Sequence, residues 1–250
     1  MGKKNRTTPR NQSNKPVTQR EFSRINKVHP RNANQEKYLR TIEENTVTIG
    51  SGPAGSGKTY LAVYAALCHH WSKESKRLII TRPAVEAGEK LGFLPGDLDD
   101  KLDPYMRPIY DALYDQIGLS RTKEKIERGY IEIAPLAYMR GRTFNNCFII
   151  LDEAQNATIE QLKMATTRIG ENCKLVIAGD PTQSDLGYHK RKSGLYVLEE
   201  IVGGLNNVAI VKFDKNDIVR NPVVVDIVAA FEEYEYNHDT KNKLRADNGS

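Results

Sequence analysis

The sequence predicts an α/β fold in which a mostly parallel sheet is flanked by helices. Three observations predict it. Short apolar and β-branched runs alternate with longer segments of helical periodicity between residues 34 and 236. Two of those runs, Cys147-Phe-Ile-Ile-Leu151 and Leu175-Val-Ile-Ala178, are apolar without a break, as strands covered on both faces of a parallel sheet are. Finally, a glycine-rich turn, Gly52-Pro-Ala-Gly-Ser-Gly-Lys-Thr59, stands between a predicted strand and a predicted helix, the setting that separates a true phosphate-binding turn from a chance match.

Taken in order, Asn34–Glu44 reads as a helix announced by Asn34, followed by the alternating β-branched strand Thr46–Ile49. Lys58–Lys73 is helical on the strength of the apolar helix formers from Tyr60 to Leu67, and Leu78–Thr81 is the next strand. Pro83 to Asp103 carries Gly88, Gly92, Pro95 and Gly96 and reads as a long, shaped loop. A helix over Lys101–Ile117 and a strand over Tyr130–Ala134 precede the apolar strand Cys147–Leu151. Thr158 announces a helix to Ile169, Lys174–Ala178 is the fifth strand, and Gly194–Val202 a further helix. The strand Val208–Phe213 and the helix Pro222–Tyr236 complete the pattern, with no internal repeat.

The 250 residues suit one domain with tails, expected as a basic tail over 1–33, a folded unit over 34–236 and a polar end over 237–250. Charge is uneven. Residues 1–31 hold nine Lys and Arg against Glu21 alone, a charge of +8, so a chain of net +5 carries −3 in its remainder. The basic segment is either a solvated tail or an anchor for nucleic-acid phosphates. No apolar run is long enough to span a membrane, and no apolar stretch follows Met1-Gly-Lys-Lys-Asn-Arg6 as a secretory signal requires. Arg6 also breaks the myristoylation pattern. Cys68, Cys147 and Cys173 lack C-x-x-C spacing and read as reduced thiols, so a cytoplasmic protein is expected.

Three segments carry chemistry. In the turn, Gly52, Pro53, Ala54, Gly55, Ser56 and Gly57 form a backbone cradle whose N–H groups face phosphate oxygens. Lys58 supplies charge to the β- and γ-phosphates and the Thr59 hydroxyl suits Mg²⁺. A nucleoside triphosphate is therefore the expected ligand. Next, Cys147-Phe-Ile-Ile-Leu-Asp-Glu-Ala-Gln-Asn156 is an apolar strand ending in two acids, with Asp152 placed for the metal and Glu153 to orient and deprotonate water. Third, Lys174-Leu-Val-Ile-Ala-Gly-Asp-Pro-Thr-Gln183 ends a strand in a Gly-Asp-Pro turn, with Gln183 in reach of a γ-phosphate or the attacking water. His69-His70 near a helix end suits the helix dipole rather than a metal.

These segments, with Arg82-Pro-Ala-Val-Glu-Ala-Gly-Glu-Lys-Leu-Gly-Phe-Leu-Pro-Gly-Asp97 and Gly179-Asp-Pro-Thr-Gln-Ser-Asp-Leu186, resemble the PhoH-like family of phosphate-starvation-inducible type ATPases over residues 34–236. Asp-Glu-Ala-Gln followed by Gly-Asp-x-x-Gln also resembles the nucleotide-binding half of superfamily-one helicases. The resemblance implies a RecA-like ATPase core, ATP and Mg²⁺ as cofactors, a ring-shaped homo-oligomer with the hexamer as its candidate size, and a link to RNA. It implies that Gln35 reads adenine and that the Arg82 segment either faces a nucleic-acid strand or joins sheet to helix. With no second lobe expected, efficient ATP hydrolysis needs an arginine from a neighbouring subunit or a partner at the γ-phosphate; Arg220 is the candidate, with Arg142 and Arg168 as rivals. The resemblance stops at Gly187-Tyr-His-Lys-Arg-Lys192, a cluster that either meets phosphates or is solvated. The competing reading is an ATP-driven remodeller of a protein client.

Overall fold

A computed structural model describes residues 25–71, 75–83, 98–183 and 193–219, together with helical positions between 223 and 234; the side chains of Trp71 and of residues 98–104 are excepted. Six strands form one sheet: β1 Val47–Ser51, β2 Arg77–Arg82, β3 Ile131–Pro135, β4 Cys147–Leu151, β5 Lys174–Gly179 and β6 Val208–Lys212. Their order across the sheet is β3-β2-β4-β5-β1-β6, and all five pairings are parallel. Six helices are described: α1 Ala33–Glu44, α2 Lys58–Trp71, α3 Leu98–Ile117, α4 Leu119–Glu127, α5 Ile159–Thr166 and α6 Gly194–Val202.

The uninterrupted apolar runs are explained by burial on two faces. Side chains alternate across a strand, so Leu78, Ile80, Phe148, Ile150 and Val176 join one core with α1, α2 and α3. Ile79, Ile149, Leu151, Leu175 and Ile177 join a second core with α5 and α6. Truncating a fully buried Ile150 or Ile177 to Ala removes contacts on a face with no water to replace them, at a cost of about 2–5 kcal/mol.

Three details differ from the sequence reading, the first being that α3 begins at Leu98, inside the stretch to Asp103 expected as a loop. The cap of α1 is Asn32, whose side chain accepts from Gln35 N, rather than Asn34. Asn32 has the extended backbone that a cap requires, whereas Asn34 lies inside the helix and donates to Asp217 Oδ2 at 2.8 Å. Helix α4 has no counterpart in the sequence reading: it follows α3 after Gly118, with no capping side chain to mark it. Thr158 does cap α5, in a reciprocal capping box with Gln161. Ile25 and Val28 pack against the first core, so the described contacts of the body begin ahead of α1.

The sheet order sets the site. Strands β4, β5 and β1 are neighbours, and β1 and β4 are separated by β5 alone. The carboxyl ends of all three therefore open on one edge, where ligands bind in parallel α/β sheets.

Candidate functional site

Between β1 and α2 the chain turns tightly. Gly52 has φ +144°, and a Cβ there would lie 2.3 Å from Phe213 O, so no other residue fits. Gly55 and Gly57 also have positive φ, which glycine adopts without cost. The turn is braced by its neighbours. Gly52 N donates to Gly179 O at 3.1 Å, Val219 N donates to Gly55 O at 3.0 Å, and Gln35 Nε2 donates to Ser56 O at 3.0 Å. It leads into the first turn of α2, which contains no acidic residue, and the N–H groups of a helix start favour an anion.

Lys58, only 8% exposed, folds back over the turn. Its Nζ donates to Gly52 O at 2.7 Å and to Pro53 O at 2.8 Å. Burial holds its pKa below that of a free lysine, while Asp180, Asp152 and Glu153 push it back up. The three acids thus favour the charged form of the enclosed lysine, the form that binds a phosphate oxygen.

Across from it, β4 delivers Asp152 at its carboxyl end, 2% exposed. Thr59 Oγ1 donates to Asp152 Oδ1 at 2.5 Å. Asp152 Oδ2 takes Arg82 Nε at 2.8 Å and Arg82 Nη2 at 2.7 Å. The parallel pairing of Thr81 with Leu151 explains this, because it puts Arg82 level with Asp152. Glu153 follows in the left-handed region, at φ 53° and ψ 40°. For a residue with a side chain this is an uncommon conformation, and such strain gathers at functional sites. Arg82 Nη2 lies 3.4 Å from Glu153 Oε1, and Gln155 Nε2 donates to Glu153 Oε2 at 2.6 Å.

The third wall is the end of β5. Asp180 N donates to Gln155 Oε1 at 3.0 Å, and Asp180 Oδ1 accepts from Thr182 N and Thr182 Oγ1. Gln183 N closes the turn on Asp180 O. The result is a cavity of about 290 Å³ lined by Lys58, Thr59, Asp152, Glu153, Asp180 and Gln183 among others. Its donors, lysine and turn amides are chemistry for phosphate. Its metal-capable atoms are the hydroxyl and carboxylate oxygens of Thr59 and Asp152, the hard oxygen set that suits Mg²⁺ held largely by water and substrate phosphate. No group of three or more His, Cys, Asp or Glu able to hold a metal occurs among the described residues, so a closed all-protein cage is not what these residues build.

The residues expected from sequence stand as follows. Ala54, Gly55, Gly57, Lys58 and Thr59 of the turn come together with Asp152, Glu153 and Gln183 on one cavity, whereas Gly52, Pro53 and the buried Ser56 shape the turn without lining it. Gln35 lies beneath it, and both ends of its amide meet backbone, Ser56 O and Arg31 N. Arg220 lies outside the described residues, as do residues 1–24, 84–97 and 184–192. Arg142 is bonded through both terminal guanidinium nitrogens to Glu132, and Arg168 Nη1 donates to Arg142 O. Both precede β4 or β5, at the edge opposite the cavity. His69 packs edge-on to Phe148, and His70 Nδ1 lies 3.1 Å from Ser75 O. Three contributors have no such role in the sequence reading: Arg82 as the clamp on the acids, Gln155 and Asp180. Each stands inside a recognised segment, but only the strand order shows what it faces.

Comparison with known proteins gives a consistent picture. The sequence profile of the family described as "PhoH-like protein" matches residues 27–232. A PhoH-like protein of Bacillus subtilis is 50% identical over 199 residues, which are 80% of this chain and 62% of that one. Protein PhoH of Escherichia coli K12 is 46% identical over 193 residues, 76% of this chain and 54% of that one. The chain thus spans somewhat over half the length of these relatives. Among solved structures, the large terminase of a thermophilic bacteriophage aligns with 80% of this chain and 50% of its own at TM-score 0.49 and 13% identity, too distant to bear on function.

Proposed function

The chain belongs to the PhoH-like protein family, and from that premise we propose that it hydrolyses ATP in the presence of Mg²⁺ and couples the reaction to a bound strand of RNA. One observation carries the hydrolysis: Thr59 Oγ1 and Asp152 Oδ1, 2.5 Å apart, face the cavity that holds Lys58 and Glu153. A hydroxyl from the phosphate turn and an acid from a neighbouring strand end, joined in this way, are the pair that places a metal beside β- and γ-phosphates.

Each residue has a task. The turn amides and Lys58 bind the phosphate chain and offset its charge. Thr59 and Asp152 would hold Mg²⁺, which would neutralise charge that builds on the transferred phosphoryl group. Glu153 orients a water and takes its proton as the water oxygen bonds to the γ-phosphorus and the bond to the β-phosphate oxygen breaks. Gln183 contacts the γ-phosphate or the water and registers its loss. Gln35 supports the turn from below and stands on the adenine side in the helicase-like reading. Arg220 from a neighbouring subunit completes the charge balance, so turnover depends on assembly into a homo-oligomeric ring, with six subunits as the candidate number.

Support for RNA comes from the charge of +8 on residues 1–31 in a chain whose remainder is acidic. Non-specific binding to phosphates rests on such segments. A cytoplasmic location belongs to the same reading; no helix among the described residues is long and apolar enough to cross a membrane. The test is ATP turnover with and without single-stranded RNA and DNA at several salt concentrations. Stimulation by RNA that weakens with salt and disappears when residues 1–24 are removed supports the proposal. Turnover unaffected by either nucleic acid, without salt-dependent binding, overturns the RNA part in favour of a protein client.

A further inference from the structure

We infer that Gln155 is a positioning residue that latches the Glu153 carboxylate to the end of β5, so that the water-orienting acid and the Asp180–Gln183 turn move as one unit. The inference rests on the hydrolytic reading of Glu153 and adds a residue that reading does not use.

The geometry leaves the amide of Gln155 one orientation. A carboxylate accepts only, and a backbone N–H donates only. Gln155 Nε2 is therefore the atom on Glu153 Oε2, at 2.6 Å, and Gln155 Oε1 the atom on Asp180 N, at 3.0 Å. One planar group links two strand ends, β4 through Glu153 and β5 through Asp180. Gln155 is 5% exposed and its bond to Asp180 N is buried, so water does not compete for that end of the link.

The residue before Asp180 is fitted to the same amide. A Cβ on Gly179 would lie 2.7 Å from Gln155 Oε1. Gly179 does not have the positive φ that glycine alone tolerates. A side chain there would have to displace the Gln155 amide from the position in which it bonds Asp180 N. Leu195 Cδ2 lies equally close, 2.7 Å from the added Cβ, and Gln155 N lies at 3.1 Å. Gly179, next to Asp180, and Gln155, two residues beyond Glu153, thus pack directly against each other.

The need for such a latch follows from Glu153 itself. Its backbone is left-handed and its side chain is 44% exposed, so without a holder it has several rotamers open to it. Arg82 Nη2 reaches its other oxygen at 3.4 Å, a long contact that leaves Gln155 as the closer restraint. A group that must take a proton in one geometry loses rate when it samples others. The latch also gives Gln183 a route to Glu153, since Gln183 N bonds to Asp180 O in the same turn whose N–H holds Gln155.

The test uses the full chain with Q155E and Q155L. Q155E keeps the shape but cannot donate to Glu153; Q155L keeps volume and loses both bonds. Three readings are taken: ATP turnover, affinity for a fluorescent ATP analogue, and hydrogen exchange of the Asp180 amide by NMR. Both variants are expected to lower kcat more than tenfold, with analogue affinity within threefold of the parent. Exchange at Asp180 is expected to accelerate at least tenfold in Q155L, whose side chain offers no acceptor. A loss of affinity as large as the loss of kcat overturns the inference, because a merely structural residue would damage binding and turnover alike. Turnover within twofold of the parent in both variants overturns it as well. If the parent itself does not hydrolyse ATP, the hydrolytic reading falls separately. Exchange then decides the latch alone, with unchanged protection of Asp180 in Q155L as the contrary result.

Discussion

Arg82 at the end of β2 binds Asp152 at the end of β4 through two nitrogens on one oxygen, Nε at 2.8 Å and Nη2 at 2.7 Å from Oδ2. The same guanidinium donates through Nη1 to Tyr105 O on α3 at 2.5 Å. One side chain therefore ties the buried acid at the end of β4 to the helix that lies beyond the β2–α3 connection. Asp152 is 2% exposed and the Arg82 side chain 12%, so the pair is enclosed, and an enclosed acid that loses its cation is costly.

Arg82→Ala is expected to destabilise the chain by about 3 kcal/mol in urea unfolding without nucleotide. Arg82→Ala combined with Asp152→Asn is expected to recover part of that loss, since the acid left unpaired is then neutral. A single-variant loss under about 0.5 kcal/mol, the size of an exposed pair, would mean that the clamp contributes little.

Gln35 engages both ends of its amide with backbone, Ser56 O and Arg31 N. Its influence on a nucleotide is expected to pass through the phosphate turn. Gln35→Ala should then weaken ATP and GTP by similar factors in equilibrium binding. Loss confined to ATP would restore direct adenine reading in place of this one.

Lys58 carries a pH signature. Its folded pKa lies below the ordinary 10.5, chiefly through burial. Between the lowered value and 10.5 the unfolded chain binds more protons than the folded one, so this residue makes stability rise with pH in that window. The parent is therefore expected to gain stability relative to Lys58→Met as pH climbs from neutrality toward 10.5. A difference that is flat or falls over that range would contradict the burial of the charge.

Glu132 works in the opposite range. Its hydrogen bonds to Arg142 hold its pKa below the ordinary 4.5. The associated stability is present above 4.5 and is lost as pH falls through the lowered value. Glu132→Gln should cost no more than about 1 kcal/mol at neutral pH, given the partial exposure of both partners. The gap from the parent should close in unfolding experiments carried to acid pH, and a gap that persists there would exclude ionic origin.

Much of this is legible in the sequence, for definite reasons. All six strands are anticipated there, and Cys147–Leu151 agrees end to end, because continuous apolar runs bounded by polar turns have few other readings. Thr158 announces α5 through its capping box. Helix α4 escapes such reading because it begins at Gly118 without a capping side chain and is short and polar. The glycines and Lys58 identify the phosphate turn, since local spacing carries that chemistry. Arg82, Gln155 and Asp180 cannot be recognised in the same way as partners of the acids. Their roles depend on β2 and β5 lying on either side of β4, and strand order is a long-range property that no local pattern encodes.

The most direct test of the central claim is Mg²⁺-dependent ATP turnover by the parent chain beside Glu153→Gln. The expected result is hydrolysis by the parent, loss of at least a hundredfold in the variant, and retained binding of ATP by both. A parent that binds no ATP, or a variant that hydrolyses it as fast as the parent, would contradict the account.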